Sequence, residues 1–309
     1  MRVAFLNLCH CDPELTARAA NKLTENSQFD MYIHVDKKTD ITPFHELLKD
    51  NERVFFIKKR QKVYWGGFHA VLATLEMIRA AEASGRQYDR YVLLQNLDYP
   101  IKSNDEILSF FTKNKDTEYI RACKIAKTKD WHFAEKYKIR HKFDDDFYLS
   151  NPSKMRRVFH NLIKWLRSIP NLGFNGIIRE KDGEYPAYYG AAQWSVTGEC
   201  ARYILSFAEN HEIYNKRMQA FKFPDEEYFH TIVHNSPFKY RCVKYDEPER
   251  RWLVNWRNLH YFEYPKEIVT FTEKDFDKLI NRDELFCRKV RSGISDTLLD
   301  KIDKVTSVK

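Results

Sequence analysis

The first third of the chain alternates short apolar runs with amphipathic stretches. Residues 3–8, VAFLNL, form a run of strand length, and residues 13–23, PELTARAANKL, place Leu15, Ala19 and Leu23 at helical spacing. MYIHVD at 31–36 is a second apolar run ending on an aspartate, and VFFI at 54–57 is a third. Residues 67–83 set Val71, Leu72, Leu75, Ile78 and Ala81 on one broad face, which predicts a strong amphipathic helix. YVLLQNLDYP at 91–100 reads as a buried strand running into a turn, where Tyr99-Pro100 stops it. This β-α-β-β-α-β order predicts an α/β fold with a mostly parallel sheet covered by helices. Such sheets bind ligands beyond the carboxyl ends of their strands. Asp36 and Asp98, each just past an apolar strand, are therefore expected at one cleft.

After residue 185 the same signals resume. YYGAAQWSVT at 188–197 predicts a strand leading into a helix from Cys200, Pro224-Asp225 predicts a helix start, and residues 271–286 predict a helix capped by Thr272 and Asp275. No internal repeat occurs, and no linker is long enough to separate independent domains.

The middle differs in charge. Residues 120–179 carry 14 Lys/Arg and 5 Asp/Glu, a net +9 that holds the whole excess of a chain of net +8. Within it, residues 153–169 form a basic amphipathic helix with Met155, Phe159, Leu162, Ile163 and Leu166 on one side, flanked by Lys154, Arg156, Arg157, Lys164 and Arg167. Such a helix lies on an anionic membrane surface, contacts a partner, or packs on its own domain. Nucleic acid is not expected as a partner, because Asp144–Asp146 interrupts the cations and no recognised motif surrounds them.

Composition narrows the class further. Hydrophobic residues at 43% and charged residues at 31% exclude a disordered chain and a membrane bundle. No apolar run approaches the ~20 residues that span a bilayer. Aromatics reach 15%, a surplus suited to stacking on sugars or bases. The N-terminal residues read as a first strand rather than a signal-peptide core. Six scattered cysteines, with no second pair near Cys9 and Cys11, predict reduced thiols in a cytosolic protein rather than disulfides or a zinc site.

The most informative polar cluster is Asp225-Glu226-Glu227 at a predicted helix start. The helix dipole favours carboxylates there by about 0.3–1 kcal/mol each, so capping accounts for one or two. Three in a row repel one another, which points to a function for at least one. Glu226, His230 and His234 fall at i, i+4 and i+8, but the adjacent glutamate of a zinc-protease helix is absent and the third position drifts off the face. No metal is expected from that pattern, and Asp144–Asp146 reads as a solvated loop.

Six blocks, HVDKKTD (34–40), KVYWGG (62–67), YVLLQNLDYPIKS (91–103), YYGAAQWSVT (188–197), PDEEYFHTI (224–232) and ELFCRK (284–289), together resemble the core-2/I-branching β-1,6-N-acetylglucosaminyltransferase family, which includes the peptide xylosyltransferases. The blocks occur in the family's order and span most of the chain. The resemblance implies a GT-A-type nucleotide-sugar fold, inversion at the anomeric carbon, a UDP-sugar donor, most simply UDP-GlcNAc, and work without a divalent metal or other cofactor. It implies a general-base role for Glu226, a donor-binding role for Asp36, Tyr64 and Asp98, and diphosphate contacts for Lys289 and Lys266; Asp98 equally reads as the anchor of its own turn. Lys266 stands where the branching enzymes carry an arginine, whose bidentate fork lysine lacks, and Arg288 is a candidate substitute. Gln193 and Trp194 would line the acceptor side, Trp194 either stacking on a sugar face or packing in the core. Trp65-Gly66-Gly67 reads as a structural turn before the long helix, or Trp65 frames the donor, and Trp256 resembles a family tryptophan before the basic segment.

On this reading residues 1–309 are a single glycosyltransferase domain, with a nucleotide-binding half at 1–119, a basic insertion at 120–184 and an acceptor and catalytic half at 185–309. Eukaryotic members are Golgi proteins with an anchor and disulfides, which this sequence does not display. The expectation is a bacterial-type member in the cytoplasm, peripheral at the inner membrane face, acting on a lipid-linked cell-surface glycan. Competing readings are a UDP-xylose or UDP-glucose donor, a metal-dependent transferase, and a non-catalytic membrane- or polyanion-binding relative. The last is favoured if Glu226 is buried in a salt bridge away from any cleft.

Overall fold

Strands whose residues are buried on both faces require cover on both sides, and the computed structural model, which describes residues 1–139, 152–243 and 257–307, is built that way. In chain order the strands are β1 (Val3–Cys9), β2 (Phe29–Val35), β3 (Val54–Phe56), β4 (Arg90–Gln95), β5 (Asp98–Pro100), β6 (Cys123–Lys124), β7 (Ile177–Arg179), β8 (Glu184–Pro186), β9 (Tyr188–Tyr189), β10 (Ser195–Thr197), β11 (His260–Tyr261) and β12 (Phe286–Arg288). The helices are α1 (Pro13–Thr24), α2 (Thr42–Leu48), α3 (His69–Ala83), α4 (Asn104–Lys113), α5 (Trp131–Lys138), α6 (Lys154–Ser168), α7 (Gly198–Asn210), α8 (Glu212–Met218), α9 (Tyr228–His234), α10 (Phe276–Ile280) and α11 (Asp296–Thr306).

The central sheet runs β10-β4-β1-β2-β3, parallel except for β10. Val3 is in register with Phe29 on one side and Arg90 on the other, so the two chain directions diverge from β1 and leave a crevice at its carboxyl end. One face packs Ala4, Leu6, Tyr32 and Leu93 against Val71 and Ile78 of α3 and Ile204 of α7. The other packs Phe5, Phe29 and Met31 against Ala20 and Leu23 of α1 and Phe111 of α4. Full burial of each such side chain contributes about 1.5–3 kcal/mol. A second sheet, β11-β12-β5, rests on α11 through Tyr99, Cys287, Leu298 and Ile302.

Four local expectations are corrected. The run at 91–100 is two strands in different sheets, because Asp98 Oδ2 accepts the Gln95 amide at 2.7 Å and closes a turn between them. The run at 188–197 also divides, because Gly190 N–H bonds Glu226 O at 2.9 Å instead of continuing a ladder. Pro224–Glu226 is a single 3-10 turn, with α9 starting only at Tyr228. The stretch at 271–286 keeps its Thr272–Asp275 capping box, but its helix ends at Ile280 and β12 begins at Phe286. Helix α2 escaped the periodicity because it buries only Phe44 and Leu48. All six cysteines are free thiols.

Candidate active site

The carboxyl ends of β1, β2 and β4 are tied together by polar backbone groups. Asp36, just past β2, donates its amide to Cys9 O at 2.7 Å, and Asn96 donates to Leu8 O at 3.1 Å. Asn96 Oδ1 accepts the amides of His10 and Cys11 at 2.9 and 2.7 Å. Asp36 is buried, its Oδ1 taking the Lys38 amide at 2.8 Å, while Lys38 Nζ lies 3.9 Å from Oδ2 and 4.1 Å above the Tyr64 ring. Asp36 and Tyr64 thus share one cation.

Facing them is a cationic segment. Arg288 at the end of β12 donates Nη1 to Asp98 Oδ1 at 2.7 Å, and His260 Nε2 lies 3.3 Å from Asp98 Oδ2. Burial would raise the Asp98 pKa, but the Arg288 charge, His260 and the Gln95 amide together hold it below the ordinary carboxylate range. Lys289 and Arg291 follow Arg288, and the Lys289 pKa is lowered by desolvation and by both arginines. His10, at the end of β1, feels Asp36, Arg288, Arg291 and Lys38 together; desolvation first, and then the three cations against Asp36, hold its imidazole below its usual pKa. One histidine therefore reports that both halves of the crevice meet.

The acidic cluster lies on the Pro224–Glu226 turn. Phe223 before it adopts φ +56°, and Glu226 is one-fifth exposed, with Lys136 Nζ of α5 3.8 Å from Oε2 and the Tyr189 hydroxyl donating to its carboxylate. Burial raises the Glu226 pKa against the pull of Lys136, Tyr189 and Lys222. The pKa of Asp225 is raised by burial and by Glu226. Glu227 is fully buried, both its oxygens lacking a hydrogen-bond partner among the described residues, and burial pushes its pKa well up. Gly190 is dictated here, since a methyl group would collide with Arg121 O and the His230 ring.

Residues 62–68 join the two groups. Tyr64 lies under Lys38, the exposed Trp65 meets Phe223 edge-on at 4.7 Å, and Phe68 meets Tyr228 at 5.6 Å. Gly66 adopts φ +73°, and a Cβ there would sit 3.0 Å from the Phe223 ring. The turn carrying Glu226 is thus held against the loop that reaches Asp36. Two surface depressions, lined in part by Arg2, Asp50 and Arg53 and by Asp89, Lys115 and Arg202, contain none of these residues.

A family model, Core-2/I-Branching enzyme, matches residues 3–280. The chain belongs to this family. Its relatives include Xylosyltransferase 2 of Mus musculus, 24% identical over 98% of this chain and 33% of that protein, and Xylosyltransferase 1 of Rattus norvegicus, 24% identical over 98% of this chain and 35% of that protein. The chain spans about a third of the length of these relatives. The family is one of glycosyltransferases with a GT-A-like fold, in agreement with the parallel sheet and its crevice.

Set against the branching family's expected residues, the structure gathers Asp36, Tyr64, Asp98, Gln193 and Lys289 around the crevice. Gln193 donates to Gln95 Oε1 at 2.9 Å, and its carbonyl accepts from Asn258 at 2.8 Å. Lys266 is exposed on a turn after β11, and three residues on Val269 O accepts the Lys289 amide at 3.3 Å. Trp194 is a correction. It is 1% exposed and packed on Phe229 at 5.2 Å, so neither face of its ring is available to stack on a sugar. The donor-contact reading of Asp98 is corrected too: of its two readings it takes the turn anchor, and its fully buried carboxylate braces Arg288 and His260 rather than opening onto a ligand. His230 is buried and His234 Nε2 lies 2.8 Å from Ile120 O, and among the described residues no group of His, Cys, Asp and Glu is placed to hold a metal ion. Asp144–Asp146 and Trp256 lie outside the described residues. Sequence reasoning missed Lys136, hidden in the basic middle segment, Arg291 and His10, which no local pattern marks, and Lys38 and Tyr189, which lie in two of the six blocks but receive no role there.

Proposed function

We propose that the chain is an inverting, metal-independent glycosyltransferase that moves a sugar from a UDP-sugar to a hydroxyl of a glycan or protein acceptor in β linkage. The acceptor oxygen attacks the anomeric carbon, its proton passes to Glu226, the bond from that carbon to the diphosphate oxygen breaks, and UDP leaves with the electron pair. Asp36 and Tyr64 read the nucleoside; Arg288, Lys289 and Arg291 meet the charge that develops on the leaving diphosphate. The observation that carries this reading is Glu226 itself. It is partly exposed, bonded by Tyr189, paired with Lys136, and raised in pKa toward the range where a base is most effective at neutral pH. Its ion pair lies on a turn joined to the donor crevice, which weighs against the non-catalytic reading.

For the donor, the names of the relatives favour UDP-xylose, whereas the branching blocks favour UDP-GlcNAc. The test is turnover of a panel of UDP-sugars in EDTA and in manganese, for the native chain and Glu226→Gln. Turnover of one donor in EDTA, lowered about 10²–10⁴-fold by Glu226→Gln with donor affinity retained, supports the mechanism and names the sugar. Activity only in manganese, or full activity in the variant, refutes it.

A further inference from the structure

Helix α6 is capped by Ser153, whose hydroxyl accepts the Arg156 amide at 3.4 Å, so its register is set by the sequence. Its apolar residues recur at intervals of three and four and face solvent: Met155 is 81% exposed, Phe159 64% and Trp165 59%, with Leu162, Leu166 and, beyond the helix, Leu172 about half exposed. A contiguous apolar stripe of this length is rare on a surface meant for water alone. The charge around it is equally one-sided: residues 147–179 carry six Lys/Arg and no Asp or Glu.

We propose that α6 lies in the surface of an anionic phospholipid bilayer, apolar face in the acyl boundary and cations at the headgroups. Charge complementarity selects this occupant. A second copy docking through the same face would set two uniformly cationic stretches against each other, whereas anionic headgroups attract both. Trp165 and Phe159 between flanking arginines have the composition of an interfacial helix. The chain on either side belongs to the candidate active site. Helix α5 before it carries Lys136, the partner of Glu226, and Phe174 after it packs on Tyr137 at 5.8 Å and on Phe221 at 6.2 Å, beside the Pro224–Glu226 turn. A helix seated on lipid therefore holds that turn close to acceptors carried at the same surface.

The test is flotation of the full chain with vesicles of phosphatidylcholine alone and with about 30% phosphatidylglycerol, at low and high salt. The expected result is binding to the anionic vesicles only, weakened by salt. Arg156→Gln with Arg167→Gln should lower affinity about 25-fold, at roughly fivefold per cation. Phe159→Ser with Trp165→Ser should lower it at least about tenfold, and both pairs should keep the native circular dichroism because the replaced side chains are exposed. No binding by the native chain, binding equal on neutral vesicles, or binding untouched by either pair overturns the proposal. So does lipid-free self-association that Phe159→Ser with Trp165→Ser abolishes, since the stripe then serves a second copy. The assay uses neither donor nor acceptor, so its failure is separable from failure of the transferase reading.

Discussion

Lys136 is 5% exposed, with its ammonium 3.8 Å from Glu226 Oε2 and 4.1 Å from the Tyr189 ring centroid, and replacing it by methionine keeps most of its buried volume while deleting the charge. Two unit charges at that separation interact by about 4 kcal/mol at an effective dielectric near 20, and by about 1 kcal/mol in bulk water. At about 1.36 kcal/mol per unit, the Glu226 pKa should rise by roughly 1–3 units. The sign follows from the cation favouring the ionised carboxylate. A base must be ionised to accept a proton, so the acid limb of kcat/KM moves to higher pH by that amount while the alkaline plateau survives.

The assay is kcat/KM in EDTA from about pH 5 to about pH 9 for the native chain, Lys136→Met and Lys136→Arg, the arginine restoring the limb. A limb that stays in place or moves to lower pH refutes the argument. A loss of equal size at every pH also refutes it, because it assigns Lys136 to packing alone.

Asp98→Asn breaks a buried pair and should cost about 3–5 kcal/mol in denaturant melts at neutral pH. Because the Asp98 pKa is lowered on folding, that deficit shrinks as pH falls below the unfolded value of 3.8. Arg288→Gln should weaken UDP binding about 10–150-fold by calorimetry, the worth of one charge-assisted hydrogen bond. Glu227 has a raised pKa, so the folded chain keeps a proton that the unfolded chain loses above 4.5, and native stability declines with rising pH through that window. Glu227→Gln removes this term; it should gain on the native chain by up to about 1.4 kcal/mol per pH unit above 4.5, and a constant difference across pH in melts refutes the burial argument.

Strand and helix periodicity made the N-terminal sheet legible because β1, β2 and β4 are apolar on both faces and α3 shows a full stripe. The breaks inside residues 91–100 and 188–197 were not legible, since each depends on a bond to a distant or folded-back partner: Asp98 to the Gln95 amide, and Gly190 N–H to Glu226 O. The branching blocks pointed to Asp36, Tyr64 and Glu226 as site residues, but no block marks Lys136, whose role exists only because α5 folds against the Pro224–Glu226 turn. Trp194 misled for the opposite reason. Tryptophan serves sugar stacking and core packing equally well in a sequence, and burial alone separates them.

The crevice also bears on how a diphosphate would be held. Lys266, at the position where the branching enzymes carry an arginine, is solvent-exposed on its turn, whereas Arg288 is braced by Asp98 at 2.7 Å through one nitrogen and keeps its other donors. The fork that Lys266 cannot supply is thus present on β12, the strand paired with β11, fixed in orientation by a buried carboxylate. Charge agrees with this assignment. Lys38, Arg288, Lys289 and Arg291 surround Asp36 and Asp98, and with His10 held toward its neutral form the group carries a formal +2. In the proposed reaction a departing diphosphate would bring about two negative charges to that position, which a formal +2 would offset.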